Sequence, residues 1–187
     1  RRVRFEFDAE PQLMMGYHKP NFPSKEDAAA SILAYVLTTG RTSRIYKDLI
    51  QDKQLAVSVY AGQGPGTRFP NLFTFNAVPR FPHTVEEVEK GILEHVEKVK
   101  VEPVTERELQ KVKNNLDASY VRSMSSNFGI AAQIVRYQLL FGDWKLFKKY
   151  RELIAAVTPA DIMDFAKTYL TPENRTVAAL VKKAKAS

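Results

Sequence analysis

Residues 40–60, Gly-Arg-Thr-Ser-Arg-Ile-Tyr-Lys-Asp-Leu-Ile-Gln-Asp-Lys-Gln-Leu-Ala-Val-Ser-Val-Tyr, read as a helix stop, a short helix and then a strand. Gly40 supplies the left-handed residue that ends an apolar helix, and Thr42 or Ser43 caps the next one. Ile45, Leu49 and Ile50 are spaced to face a core. From Leu55 the period changes to two, with Ala56, Ser58 and Tyr60 alternating with Leu55, Val57 and Val59 as on a pleated strand.

Working outward, residues 2–8 alternate as Arg-Val-Arg-Phe-Glu-Phe-Asp, and a second apolar run spans residues 12–18 after Pro11, which predicts two strands. Pro20 and Pro23 mark a loop, and Ser24 caps an Ala-rich helix from Ala28 to Leu37. Beyond Tyr60, the segment Ala61 to Thr67 is predicted as a loop leading to a strand over Leu72 to Val78, where Phe73, Phe75 and Ala77 share one face. Its glycines do not form a phosphate loop, because such a loop must open a helix whose N-terminus holds the phosphate.

Thr84 with Glu87, and Thr105 with Glu108, are capping boxes. The first opens an amphipathic helix carrying Val85, Val88, Ile92, Val96 and Val99 inward; the second opens one carrying Leu109, Val112, Leu116 and Tyr120. Further helices are predicted from Asn127 to Leu140, with Ile130, Ile134, Tyr137 and Leu140 facing inward, and from Trp144 to Ile154. Thr158, Pro159 and Asp161 open a last one that buries Ile162, Phe165, Ala166 and Tyr169, before a strand at Thr176 to Val181. The expected class is therefore α+β, a two-layer domain with a mostly antiparallel sheet covered by helices. No repeat or linker divides the chain, so residues 1–187 are expected to be a single domain.

Hydrophobic residues make up 44% of the chain and charged residues 26%, which places it among globular rather than disordered sequences. No apolar run reaches the roughly 20 residues needed to span a bilayer. The chain opens on Arg1-Arg2 without an initiator Met and moves straight into strand pattern, which reads as an excised fragment. The absence of Cys excludes disulfides and thiolate sites and is compatible with bacterial cytoplasm or periplasm. The net charge is +7, but lysines and arginines are interspersed with acids except at Lys145, Lys148, Lys149 and Arg151 and at Lys182, Lys183 and Lys185. These read as solvated surface, and a nucleic-acid partner is not expected.

The stretch 40–60, the strand ending Tyr17-His18-Lys19-Pro20, the helix Thr105 to Asn114 and the run Thr158 to Ile162 together resemble the non-zinc domain of the pitrilysin/insulinase family of zinc metallopeptidases. That family includes the mitochondrial processing peptidase. The resemblance covers nearly the whole chain and implies the metal-free C-terminal domain of a larger peptidase, itself inactive. It would form one wall of a peptide chamber and dock on a zinc-bearing N-terminal domain or subunit, with self-association as a dimer open.

Zinc would then sit in the partner domain. Its motif there is His-x-x-Glu-His on the first helix, which sets two imidazoles on one face with a glutamate between them. Here the corresponding helix, Ala28 to Leu37, has no His, Glu or Asp. The nearest mimic, Gly91-Ile-Leu-Glu94-His95, has glycine for the first ligand, and His95 reads as a surface position beside Glu94 and Glu97. His18 and His83 read as polar boundary residues. No catalytic or metal-binding residue is assigned to this chain.

The resemblance further implies an arginine and a tyrosine, seven residues apart, that hold the substrate backbone and the oxyanion. Aligned on Leu49 and on Leu55-Ala56, those positions are Ile50 and Val57, so both donors are replaced. Arg41, Arg44, Tyr46, Lys53 and Tyr60 are the nearby groups that could substitute as substrate-binding or interface residues. A structural or partner-binding subunit without peptidase activity is the alternative reading.

Overall fold

A computed structural model describes residues 1–183, so the basic position Lys185 lies outside the described residues. Five strands form one sheet: β1 (Arg2–Phe7), β2 (Gln12–Lys19), β3 (Ala56–Gly64), β4 (Asn71–Pro79) and β5 (Arg175–Lys182). Their order is β1-β5-β2-β4-β3. Only the β1–β5 pair is parallel. The other pairings are antiparallel, as the hairpin pattern predicts.

One face of the sheet is covered. Leu13, Met15 and Tyr17 of β2, Phe73 and Phe75 of β4 and Val177 and Ala179 of β5 point inward at the period of two and join a single core. Over them lie α1 (Lys25–Thr38), α2 (Val85–Val101) and α6 (Pro159–Tyr169). The capping predictions at Ser24, Thr84, Thr105 and Thr158 hold: Ser24 accepts from Asp27 N, and capping boxes open α2, α6 and α3 (Glu106–Ser123). Helix α1 begins a turn before the predicted Ala28, so its first turn does contain Glu26 and Asp27. Asp27 is buried in an ion pair with Lys19, whose side chain is fully covered. Burial pushes the Asp27 carboxyl up, against the downward pull of Lys19.

Helices α4 (Asn127–Phe141) and α5 (Leu146–Ala156) complete the outer layer. The expectation that Ile130, Ile134, Tyr137 and Leu140 enter the core fails, because no residue of α4 is buried. The helix contacts mainly α3 and α5, and a cleft lined by Tyr35, Tyr137 and Tyr150 separates it from α1. Tyr169 of α6 is likewise only half-buried.

Between α1 and β3 the predicted pattern holds in outline and departs in detail. Gly40 is left-handed, at φ 82°, just past the end of α1. Ser43 does not cap: its hydroxyl donates backward to the Gly40 carbonyl. The short helix is a π-helix over Tyr46–Asp52, closed by Lys53 N–H donating to the Asp48 carbonyl five residues back. Its wide turn keeps Ile45 and Leu49 fully buried and Ile50 half-buried against the core. Gln54 then takes φ 52°, and a β-bulge between Ala56 and Ser58 breaks the predicted strict alternation. Ala56, Val59 and Ala61 face the core, while Val57 and Ser58 both lie exposed. Strand β3 also runs on to Gly64, so the predicted loop shrinks to residues 65–70.

Candidate functional site

Among the described residues, the other face of the sheet carries no helix. Alternate residues of all five strands point from it to solvent, and Phe5, Met14, Leu180, Val78, Asn76 and Tyr60 line a shallow depression across it. Phe5, Met14 and Tyr60 leave large apolar side chains exposed on it, a feature that in general accompanies interaction surfaces. Tyr60 is 61% exposed, and its ring lies flat along β3 over Gly62, where any Cβ would meet the ring at 2.7 Å. Glycine at 62 is thus what lets the phenol lie along the strand.

Strand β3 is an edge, so half of its backbone groups have no strand partner. Toward its end Ala61 N–H donates to Thr38 Oγ1 at 2.9 Å, which ties the edge to α1. The stretch Ala56–Tyr60 before it is the part of the edge next to the open face.

The substitute residues named from sequence are not brought together. Tyr60 alone faces the open side. Arg41 is exposed in the turn after Gly40, and Tyr46 is half-buried at the start of the π-helix. Arg44 forms a fork with Glu108, Nε to Oε1 and Nη2 to Oε2 both at 2.8 Å. That fork, helped by the Thr105 backbone, holds the Glu108 carboxyl down at about 2. Lys53 reaches Asp48 at 3.0 Å and Glu94 at 3.6 Å. Its hydrogen bond to Asp48 raises the ammonium above its usual range. Arg44 and Lys53 thus serve internal pairs. In the basic patch, Arg151 pairs with Asp117 and Lys149 with Glu152, so part of its charge is matched locally.

Sequence reasoning missed His95. It is not a surface residue: it is 7% exposed, and its Nε2 lies 2.8 Å from Asp48 Oδ2. Burial pushes the Asp48 carboxyl up, but the bonds from Lys53 and His95 outweigh it and leave the group below its ordinary value. The signal was available. His95 follows Val88 and Ile92 on the inward stripe of α2, at spacings of seven and three.

A family model described as the peptidase M16 inactive domain matches residues 1–116. The chain belongs to that family. Its relatives include the zinc protease PqqE of Helicobacter pylori, 25% identical over 166 residues, an alignment covering 89% of this chain and 37% of the relative. The fold matches a crystal structure of a protease from Helicobacter pylori with TM-score 0.86 and 23% identity, over 96% of this chain and 43% of that one. It also matches the inactive peptidase domain of a Bordetella parapertussis protein with TM-score 0.84 and 20% identity, over 98% and 97%. The chain therefore spans about two fifths of the longer relatives.

The expected resemblance to the pitrilysin/insulinase family of zinc peptidases is thus borne out, and the match is to that family's inactive domain. The residues here do not fit a zinc ion. His18, His83 and His95 lie on different elements, and among the described residues no three His, Cys, Asp or Glu side chains gather as ligands. Of the two close His–carboxylate pairs, His95 with Asp48 is already shared with the ammonium of Lys53, and His83 with Glu87 lies at the capping box of α2. No helix among the described residues is long and apolar enough to cross a membrane. Of the two positions expected to stand in for the substrate-holding arginine and tyrosine, Ile50 packs on the core and Val57 lies on the bulge, 56% exposed.

Proposed function

We propose that residues 1–187 are one domain, the metal-free C-terminal half of a larger zinc metallopeptidase, and that the uncovered sheet face forms one wall of its peptide chamber. The observation that carries this reading is the bare apolar face in a chain of the M16 inactive-domain family. An extended peptide would add alongside Ala56–Tyr60, where main-chain hydrogen bonds give affinity with little sequence preference. Tyr60, beside that edge, is the group placed to donate to a peptide carbonyl. The zinc, the water it activates and the general base would belong to the docked partner domain, which PqqE-length relatives have room for.

The test is to assay this chain alone and after mixing with its zinc-bearing partner domain, with metal analysis of both. The chain alone is expected to hydrolyse no unstructured peptide and to hold no stoichiometric zinc, and the mixture to be active. One tightly held zinc per chain, or hydrolysis by the chain alone, overturns the reading. The replacement of both family donors by Ile50 and Val57 favours a second reading, an assembly subunit on the same scaffold without peptidase activity. A parent or neighbouring sequence lacking His-x-x-Glu-His would decide for it.

A further inference from the structure

Three departures from regular backbone fall within thirteen consecutive residues. They are the π-helix over Tyr46–Asp52, the left-handed Gln54 and the bulge between Ala56 and Ser58. Gln54 is the single non-glycine residue with positive φ among the described residues. Each such feature carries a local cost and persists where its surroundings hold it. This arm leads directly into the edge strand β3.

What holds it is a seat on α2. The Leu49 side chain fills a notch over Gly91, where an added Cβ would come within 2.6 Å of Leu49 Cδ2. One turn further along α2, His95 bonds Asp48, the neighbour of Leu49 and the residue whose carbonyl closes the π-turn. Lys53, which donates to that carbonyl, also bonds the Asp48 carboxylate and approaches Glu94. Gly91, Glu94 and His95 are the segment that looked in sequence like a broken zinc motif. Its spacing instead matches three successive contacts of the arm.

We infer that Gly91 and His95 are positioning residues: they keep residues 46–58 in their irregular winding and so fix where the β3 edge and its bulge stand. This rests on the peptide-edge reading only for its consequence; the seat itself stands on the contacts above. Without the His95 bond the π-turn has fewer restraints against rewinding to an α-turn. Rewinding would shift the following residues by a fraction of a turn and move the bulge out of register with β4.

The experiment is hydrogen exchange by mass spectrometry on the whole chain and on His95→Gln, Asp48→Asn, their double variant and Gly91→Ala. A fluorescein-labelled Lys-Val-Thr-Val-Thr-Val-Lys peptide is titrated into each. Amides of residues 46–60 are expected to exchange about tenfold faster in each single variant while β2 and β5 keep wild-type protection. The double variant is expected to add nothing to Asp48→Asn, which by itself removes the carboxylate that both His95 and Lys53 bond. Unchanged exchange in the arm, or an equal acceleration throughout the sheet, overturns the inference. The peptide readout separates the two proposals: a wild-type chain that fails to bind it counts against the edge reading, while the exchange data still decide the seat.

Discussion

Helices α1 and α4 look alike in sequence and end in opposite places. Both are apolar, both open on a serine whose hydroxyl accepts a first-turn N–H, and both run about four turns. Ten residues of α1 are buried, whereas α4 buries none and leaves Phe128 and Leu139 83% and 73% exposed. The difference lies in the neighbours. Helix α1 enters against β3, α6, α5 and α3, and a covered ion pair fastens its first turn to β2. Helix α4 meets the rest of the molecule through α3, α5 and an aromatic group of Phe22, Tyr137 and Phe141. Apolar character thus sets what a helix would gain by burial, and the number of elements within reach sets how much it obtains.

The contrast can be broken first at the foot of α1. Lys19→Met leaves Asp27 as an unpaired buried carboxylate and is expected to cost about 3–5 kcal/mol in urea unfolding. A loss under about 1 kcal/mol would mean that the pair does not anchor α1. A smaller effect is expected at α3, which neighbours both helices. Glu108→Gln keeps a capping side chain but removes the charge facing Arg44. Because the carboxyl titrates at about 2 in the fold against a usual 4.5, its contribution is complete above about pH 4.5 and is lost as pH falls toward 2. The group is about a third exposed, so we expect about 1–2 kcal/mol at pH 7 after allowing for solvent screening, disappearing by about pH 2. The smallest effect belongs to α4. Leu139→Ala is expected to change unfolding of this chain by no more than about 0.5 kcal/mol, since its side chain is mostly in water already. A cost above about 2 kcal/mol would show α4 buried in solution by a contact this chain makes with itself or a copy.

Much of the candidate site was readable before any coordinates. The apolar alternation placed β3, β4 and their inward faces, and the family resemblance pointed to an inactive half. The arm's geometry was not readable. Ile45, Leu49 and Ile50 satisfy an α-turn or a wider π-turn equally well, so spacing could not choose between them. The choice depends on Gly91 and His95, forty residues away on α2. Arg44 and Lys53 illustrate the same limit, because a charge near a family site reads as a ligand until Glu108 and Asp48 are seen to occupy it.

By itself the sequence determined the kinds of elements, most of their capped ends and the family. Those depend on local periods of 2 and 3.6 and on side chains reaching their own backbone within a turn. Only the tertiary structure decided that α4 stays outside, that His95 meets Asp48, and that the π-turn, Gln54 and the bulge form one held arm. Those outcomes depend on contacts between residues far apart in the chain, where burial and hydrogen bonding outweigh local preference and no short-range pattern records the partner.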